Sequence, residues 1–569
     1  MANEEHLSLL KQGATVWNQW RHSNPAIRPD LSGAELKGAN LTGMDLFRAD
    51  LSGANLSEAN FIRANLSGAY LSKAVLNGAA MSEAALYGAN LCEVNLADAN
   101  LVEADLGEAD LRDADLRRAF LNRTVLIRAN LSRTILAEAK LIEANLIATN
   151  LSRADLSHAK LSGAKLGGAD LSGAKVIGAD LAEAELAEAN LSEANLSAAN
   201  LYRAKAMRAK LTGATLVEAK LLEANLIEAD LSRANLARAD LGAAKLSRAS
   251  VDGAKLSDAD LNKADLAEVN ASGTDLTRAQ LKGAGLRGAN LCRGYLVGAD
   301  LSQTDLTQAD LSYADLSQAN LNGANLSYAR LAGTNLEKAN LSGCSVYGTS
   351  VWNSKLQGAE QSGLVVSGPN EPTIAVDHLD LAQFVHLLLH NVEVRQAVCT
   401  VSSRIVLILG HFPAQRMAVL DAIRRELRRK PGYYPVVWDL QGQGEKDAGD
   451  KDVTDRISIL ARFARFVVLD LADTKAIPEG VLNILLDVPV PVKPLLMEVL
   501  GKEPSVLHDL REKRRPLLDT FRYKGVDDLV ASFQKECVAP AEEMVQTLRT
   551  GQRASASKWF RWRGSVKPS

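Results

Sequence analysis

The sequence predicts two folds in series: a β-solenoid whose coils have four sides, then an open α/β domain with a mostly parallel sheet. Three observations predict them. Leucine returns every five residues from Leu31 to about residue 360. The charges two residues past each leucine change sign in blocks of four. After residue 360 that period gives way to apolar runs separated by amphipathic stretches.

The five-residue step excludes both regular structures. An α-helix advances about 100° per residue, so each leucine would lie about 140° from the last and the apolar face would smear around the cylinder. A strand fails because five is odd and successive leucines would point to opposite faces. A chain that turns a corner every five residues keeps them all inside. The charges count the corners: Asp98, Glu103, Glu108 and Asp113 precede Arg118, Arg123, Arg128 and Arg133, and Glu138 and Glu143 follow. Charged pairs at this outward position have opposite signs in about 17 of 20 cases at a lag of 20 residues, against about 13 of 21 at a lag of 15. Residue n therefore lies under n+20, and Glu188, Arg208, Glu228, Arg248 and Glu268 form one expected ladder.

Composition sets the frame. The 569 residues are 47% hydrophobic but only 5% aromatic, which suits a narrow interior of Leu and Ala beside a second core. No apolar run approaches the roughly 20 residues of a membrane span, and "MANEEHLSLL" does not read as an export signal. The five scattered cysteines predict neither a disulfide framework nor a zinc site, so a cytoplasmic, reduced protein is expected.

In chain order, residues 1–30 are expected to cap the solenoid. Residues 4–21 read as one amphipathic helix, with Leu7, Leu10, Ala14 and Trp17 on a shared face covering the open first coil. Residues 31–360 carry A-(D/N)-L-x-x about 66 times, or about 80 Å of rod at one coil per strand spacing. At the leucine position the exceptions are Phe61, Met81, Val176, Ala206, Val251, Ala271, Val346 and Val351. This segment resembles the pentapeptide repeat proteins. The resemblance implies a right-handed four-sided β-helix, with the central Leu and the Ala two before it inward and the Asp or Asn between them outward. The chain departs from that pattern at Lys140, Lys160, Lys165, Lys175, Lys205, Lys210, Lys220, Lys245 and Lys255.

Residues 361–371 read as a loop-rich linker, and 372–550 as an α/β domain. "RIVLILG", "YPVVWDL", "FVVLDLAD" and "VKPLLM" are its strands; "VDHLDLAQFVHLLLHN", "PAQRMAVLDAIRRELRRK", "VTDRISILARFAR", "IPEGVLNILLD" and the stretch from Val526 to Leu548 are its helices. This order, with "RIVLILGHF" and "ARFARFVVLDLAD", is similar to bacterial TIR-like domains of flavodoxin-like topology. Residues 551–569 form a basic aromatic tail, Arg553 to Lys567 with Trp559, Phe560 and Trp562, which reads as a disordered terminus able to touch an anionic surface.

In a doubly wound sheet, ligands bind outside the carboxyl ends of the strands. That rule selects Gly410, His411, Asp439, Asp470 and Asp473 as candidate ligand-binding residues. The TIR-like resemblance adds Glu479 as the candidate catalytic acid, since TIR enzymes that cleave NAD use a glutamate on the following helix. Gly480 follows it where a bulky apolar residue is usual, so a first-turn helix acid is the competing role. "GQGEKDAGDKD" (442–452) lacks the Gly-Lys-Ser/Thr of a phosphate loop and reads as a solvated loop. His386 and His390 are spaced for a metal but lack a third ligand, so they read as packing residues.

The functional expectation is an interaction protein: a rod with flat faces for protein partners, and a TIR-like module that signals or self-associates. No cofactor is expected to be required for the fold. The alternative is a TIR-like NAD hydrolase with the rod as sensor, and only that reading brings in NAD. A third, a DNA mimic acting on a DNA-binding protein such as gyrase, needs a strongly acidic rod; the interleaved charges, about 33 basic and 39 acidic, argue against it, and nucleic acid is not an expected partner.

Overall fold

The computed structural model describes residues 2–369, 371–391, 404–429, 433–440, 451–471, 485, 488–498 and 517–548. They form two compact units. The first comprises residues up to 321 with 330–339 and 352–358, and the second holds 322–329, 340–351 and the described residues from 359 onward.

In the first unit, parallel bridges join residue n to n+20, from Asp30↔Asp50 to Asn335↔Lys355, as the charge pattern predicts. Each leucine N–H donates one coil up and the residue before it donates one coil down: Leu106 N to Val125 O at 2.7 Å, Asp105 N to Ala84 O at 2.9 Å. A turn closes each pentad, as from Ala109 N to Leu106 O at 3.1 Å. Its second central residue has positive φ at every pentad, the requirement of a type II turn. Arg, Glu, Asp and Ala adopt that conformation as well as Gly, for example Arg118 at 58° and Ala148 at 56°.

The side chains follow from this backbone. Leu and Ala point inward and are fully buried along the stack. Where Thr replaces the inner Ala, its hydroxyl donates to a carbonyl, usually of the coil below, as Thr124 Oγ1 does to Leu101 O at 2.8 Å, and at Thr304 of its own turn, Leu301 O at 2.7 Å. The outward Asp or Asn accepts the N–H two residues on, as Asp105 Oδ1 does from Gly107 N at 2.9 Å, fixing its own turn. Asn also donates down the stack to Asp, as Asn65 Nδ2 does to Asp45 Oδ1 at 3.0 Å. The outward charges pair one coil apart: Arg118 with Asp98 at 2.7 Å, Arg133 with Asp113 at 2.6 Å, and Arg208 with Glu228 at 2.8 Å and Glu188 at 4.0 Å.

The single expected N-terminal helix is two, α1 (Glu4–Lys11) and α2 (Ala14–Ser23), because Gly13 breaks the run with a φ of 97°. Together they supply what a missing coil would. Asp45 has no coil beneath it, so its N–H donates to Asn18 Oδ1 at 2.8 Å and its carbonyl accepts Trp17 Nε1 at 2.8 Å. Asp30 N donates to His6 Nδ1, and Asp30 O accepts Asn3 N, each at 3.0 Å. Arg21 takes the carbonyls of Ile27 and Phe47.

The second unit contains β1 (Leu364–Val365), β2 (Ile374–Val376), α3 (Leu379–His390), β3 (Ile405–Gly410), α4 (Met417–Arg429), β4 (Tyr434–Asp439), α5 (Lys451–Phe463), β5 (Ala464–Asp470), β6 (Val492–Met497), β7 (Phe521–Tyr523) and α6 (Val526–Phe533). The sheet order is β1-β2-β4-β3-β5-β6-β7. From β4 to β7 all pairings are parallel, so these five strands run second, first, third, fourth, fifth, the flavodoxin-like order. β1 and β2 extend the edge antiparallel. β1 lies inside the expected linker and continues the coil step, with Val365 bridged to Ser345.

β7 was not expected either, being three residues with an exposed Arg522 at its centre. α5 ends at Phe463, two residues early, because Ala464 and Arg465 already pair in β5. The last helix runs on from α6 through a π-helical stretch, Gln534–Val538, to residue 548. Ile423 and Leu427 of α4 and Leu529 and Phe533 of α6 share one core with Val406, Ile408, Phe466 and Leu495. The helix expected at 477–487 falls outside the described residues, Leu485 excepted.

The turn geometry makes a test. Ala148 occupies a positive-φ position with no charge partner to lose. Replacing it by Gly should raise stability by about 0.5 kcal/mol, the relief of left-handed strain less the entropy glycine adds to the unfolded chain, while Val should lower it by about 1–2 kcal/mol. Urea denaturation of the two variants reads the difference.

Candidate functional site

The carboxyl ends of β3, β4 and β5 bring four of the candidate residues together. Gly410 ends β3 beside Asp439 of β4 in the parallel register, and Leu440 N donates to Gly410 O at 2.8 Å. His411 Nδ1 is buried 3.5 Å from Asp439 Oδ1, outside hydrogen-bonding geometry, and the same oxygen accepts Phe412 N at 3.3 Å. A Cβ on Gly410 would lie 2.8 Å from the Phe412 ring and 2.9 Å from Asp470 Cβ. Glycine there is thus a packing requirement between two strand ends.

Asp470 is turned inward. It is 1% exposed, and its Oδ2 accepts Arg416 Nη2 at 2.5 Å. The same nitrogen reaches Tyr523 OH at 2.8 Å, and Nη1 lies 3.4 Å from Met497 Sδ. One guanidinium thus ties the ends of β5, β6 and β7. Burial works against the Arg416 charge, but the Asp470 carboxylate outweighs it and holds Arg416 above its ordinary range. Burial first, and Asp470 second, push the Tyr523 phenol up to about 12. Sequence reasoning passed over Arg416. The signal was available: a cation just before a helix opposes the helix dipole and so requires a partner elsewhere. Asp473 and Glu479 lie outside the described residues, as do 442–450 and the tail 551–569.

His386 and His390 act as packing residues. Their rings stack at 4.5 Å, and Tyr347 sets its ring edge-on to both, at 4.8 and 5.4 Å. His386 Nδ1 is buried without a hydrogen bond, and burial followed by the neighbouring His390 pushes His386 down to about 4. Among the described residues no group of three or more His, Cys, Asp or Glu is placed to hold a metal. No described helix is long and apolar enough to cross a membrane.

The repeated geometry defines a class, the four-sided β-solenoid of pentads, and the family follows from it. The family model "Pentapeptide repeats" matches residues 30–242 and 244–359 in overlapping stretches, more than half of the chain. The chain belongs to the pentapeptide repeat family. It is similar to HetL, a pentapeptide repeat protein involved in heterocyst differentiation regulation from the cyanobacterium Nostoc sp. strain PCC 7120. The two are 38% identical over 39% of this chain and 89% of that one, with a TM-score of 0.21. Rfr23 from the cyanobacterium Cyanothece 51142 is 45% identical over 15% of this chain and 58% of its own, TM-score 0.15. Trypsin-treated QnrB1, a plasmid-mediated fluoroquinolone resistance protein, is 21% identical over 28% and 86%, TM-score 0.21. No curated protein matches.

Two measurements check the site. Asp470→Ala leaves the Arg416 charge buried without its carboxylate and should destabilise the second unit by about 3–5 kcal/mol, read as faster hydrogen exchange in β5. His386 is held neutral, with a folded value below its ordinary 6.5. The stability it contributes is therefore complete above about 6.5 and is lost as pH falls through about 4. Partial exposure reduces the loss to about 1–2 kcal/mol, and His386→Gln should flatten that limb of the pH–stability curve.

Proposed function

We propose that this chain is an interaction protein, with the solenoid as a rod for protein partners and the C-terminal domain as a TIR-like module for signalling or assembly, working in the bacterial cytoplasm. The observation that carries the reading is the rod's surface. Its interior is filled by Leu and Ala, its backbone is paired coil to coil, and its sides present straight rows of exposed polar and apolar side chains. A surface of that kind matches macromolecules better than small substrates. The flavodoxin-like strand order is consistent with a TIR-like module, and fold alone does not assign it chemistry.

The enzyme reading keeps one feature in its favour, His411 and Asp439 side by side at the strand ends where a doubly wound sheet binds ligands. One experiment separates the two. A photo-crosslinking residue is placed at Ile135, Lys175 or Lys255, all exposed on one side of the rod, and NAD consumption is followed in parallel with Glu479→Ala. The interaction reading expects the same protein crosslinked from all three positions, and NAD turnover that Glu479→Ala leaves unchanged. Turnover abolished by Glu479→Ala, with no crosslinked protein, would replace it with the hydrolase.

A further inference from the structure

The outward residue before each leucine forms straight rows up the rod, and one row has an unusual charge order. Bridges connect Phe120, Lys140, Lys160, Asp180, Asn200, Lys220, Asp240, Asp260 and Gln280 in single steps. Two like-charged steps lie in it, Lys140↔Lys160 and Asp240↔Asp260. Like charges stacked one strand spacing apart are unfavourable, and at this position, the residue before the leucine, the rod otherwise avoids them. Among bridges joining two charged residues, the one other like-charged step is Asp30↔Asp50, where Arg28 neutralises Asp50 at 2.6 Å. Each doublet in this row has one opposite charge a rung away, Asp180 beside Lys160 and Lys220 beside Asp240, but neither closes to an ion pair like that of Arg28 and Asp50. Lys140 rests its ammonium over the Phe120 ring, 4.4 Å from the centroid. Asp240 and Asp260 accept only the N–H groups of Gly242 and Asn262.

These two steps lie at equal distances on either side of Asn200, and their signs are opposite. A two-fold axis that lies in the plane of this side, crosses the rod at right angles and passes at the level of Asn200 sets coil against coil, so that each row residue a given number of coils above Asn200 lies opposite the partner's row residue the same number of coils below it. Lys140 then faces the partner's Asp260, Lys160 the partner's Asp240, and Asp180 the partner's Lys220, and symmetry doubles each pair. Both chains have the same rise per coil, so the register holds along the whole row. The adjacent side of the same rod lacks this property. Its row is also symmetric, around Thr215, but it sets Lys175 against Lys255 and Asp155 against Asp275.

We propose that the solenoid self-associates through this side as an antiparallel, two-fold symmetric dimer, with the occupant of the row being a second copy of this chain. The interface is isologous, so every contact is made twice and the assembly closes at two. Its attraction comes from exposed lysines meeting half-buried aspartates at the surface, so the dimer is of moderate affinity and sensitive to salt.

Sedimentation equilibrium of the full-length protein tests this, at low and high salt, beside Lys160→Glu, Asp240→Lys and the double variant. The wild-type dimer should weaken as salt rises from about 0.05 to 0.5 M. Each single reversal puts like charges opposite each other twice and should raise the dissociation constant by about tenfold or more; the double variant restores both contacts and should return to within about threefold of wild type. The fold tolerates these exchanges, since lysine already occupies this position at Lys140, Lys160 and Lys220; unchanged circular dichroism verifies it. A monomer at all concentrations at low salt overturns the proposal. So does a dimer indifferent to the single reversals, or one that the double variant fails to restore.

Discussion

The structure depends on the hydrogen-bond step from residue n to the coil above. Each pentad contributes two N–H groups pointing up, at the leucine and two residues past it, and one pointing down, at the residue before the leucine, and all three find carbonyls only if the chain returns to the same angle every 20 residues. Buried backbone groups must be paired, so the coil length is fixed by this accounting and not by side-chain preference. The inner residues need only fit, which is why Leu and Ala suffice and why Phe61, Met81 and Ala271 are accommodated at leucine positions. The step also makes both ends costly, and the chain answers with side chains. At the start, His6, Trp17 and Asn18 replace the absent coil atom for atom. Inside the second unit, Val351 N donates to Gln383 Oε1 at 3.0 Å and β1 carries the ladder into the sheet.

The coil length was legible in the sequence because the outward charges sit one rung apart, close enough for selection to act on their signs. The turn was not legible. Its positive-φ position reads as a surface charge site, and glycine, the residue that would have revealed it, stands there in only about a third of the pentads. The break at Gly13 was visible but outweighed by a helical period that continues through it. β1 and β7, two and three residues long, are too short for any period to register, and both depend on neighbours already in place. The parallel strands were legible because each is a continuous apolar run buried on both faces.

The candidate site divides along the same line. The strand-end rule selected Gly410, His411, Asp439 and Asp470, and the parallel register places them at neighbouring strand ends, because topology alone decides that much. Which of them turns outward depends on tertiary partners. Asp470 is committed to Arg416 from a different element; the place of Arg416 before a helix signals that it needs a partner, but nothing near either residue says which. His411 Nδ1 lies 3.5 Å from Asp439 Oδ1 without a hydrogen bond of its own, while Asp439 accepts Phe412 N. The two acids that would decide the chemistry, Asp473 and Glu479, lie outside the described residues.

The interior of such a rod carries almost no information, so specificity has to lie on the rows outside. The residue before each leucine is the telling position. An Asp or Asn there closes its own turn by accepting an N–H two residues on, and a lysine cannot. Nine lysines nonetheless occupy it between Lys140 and Lys255, each giving up a local hydrogen bond. Most are explained within the chain, since an acid lies one rung away, as Glu185 does for Lys205 at 3.1 Å. Lys140 has no acid on either neighbouring rung, only Phe120 below and Lys160 above. The acid next to Lys160, Asp180, is already bonded to Ser162 and Asn200. Stacking within one chain leaves like charges in contact in that doublet and in the aspartate doublet beyond Asn200, where only Asp240 has an opposite charge, Lys220, a rung away; a surface that meets its own copy would give all four charges a partner.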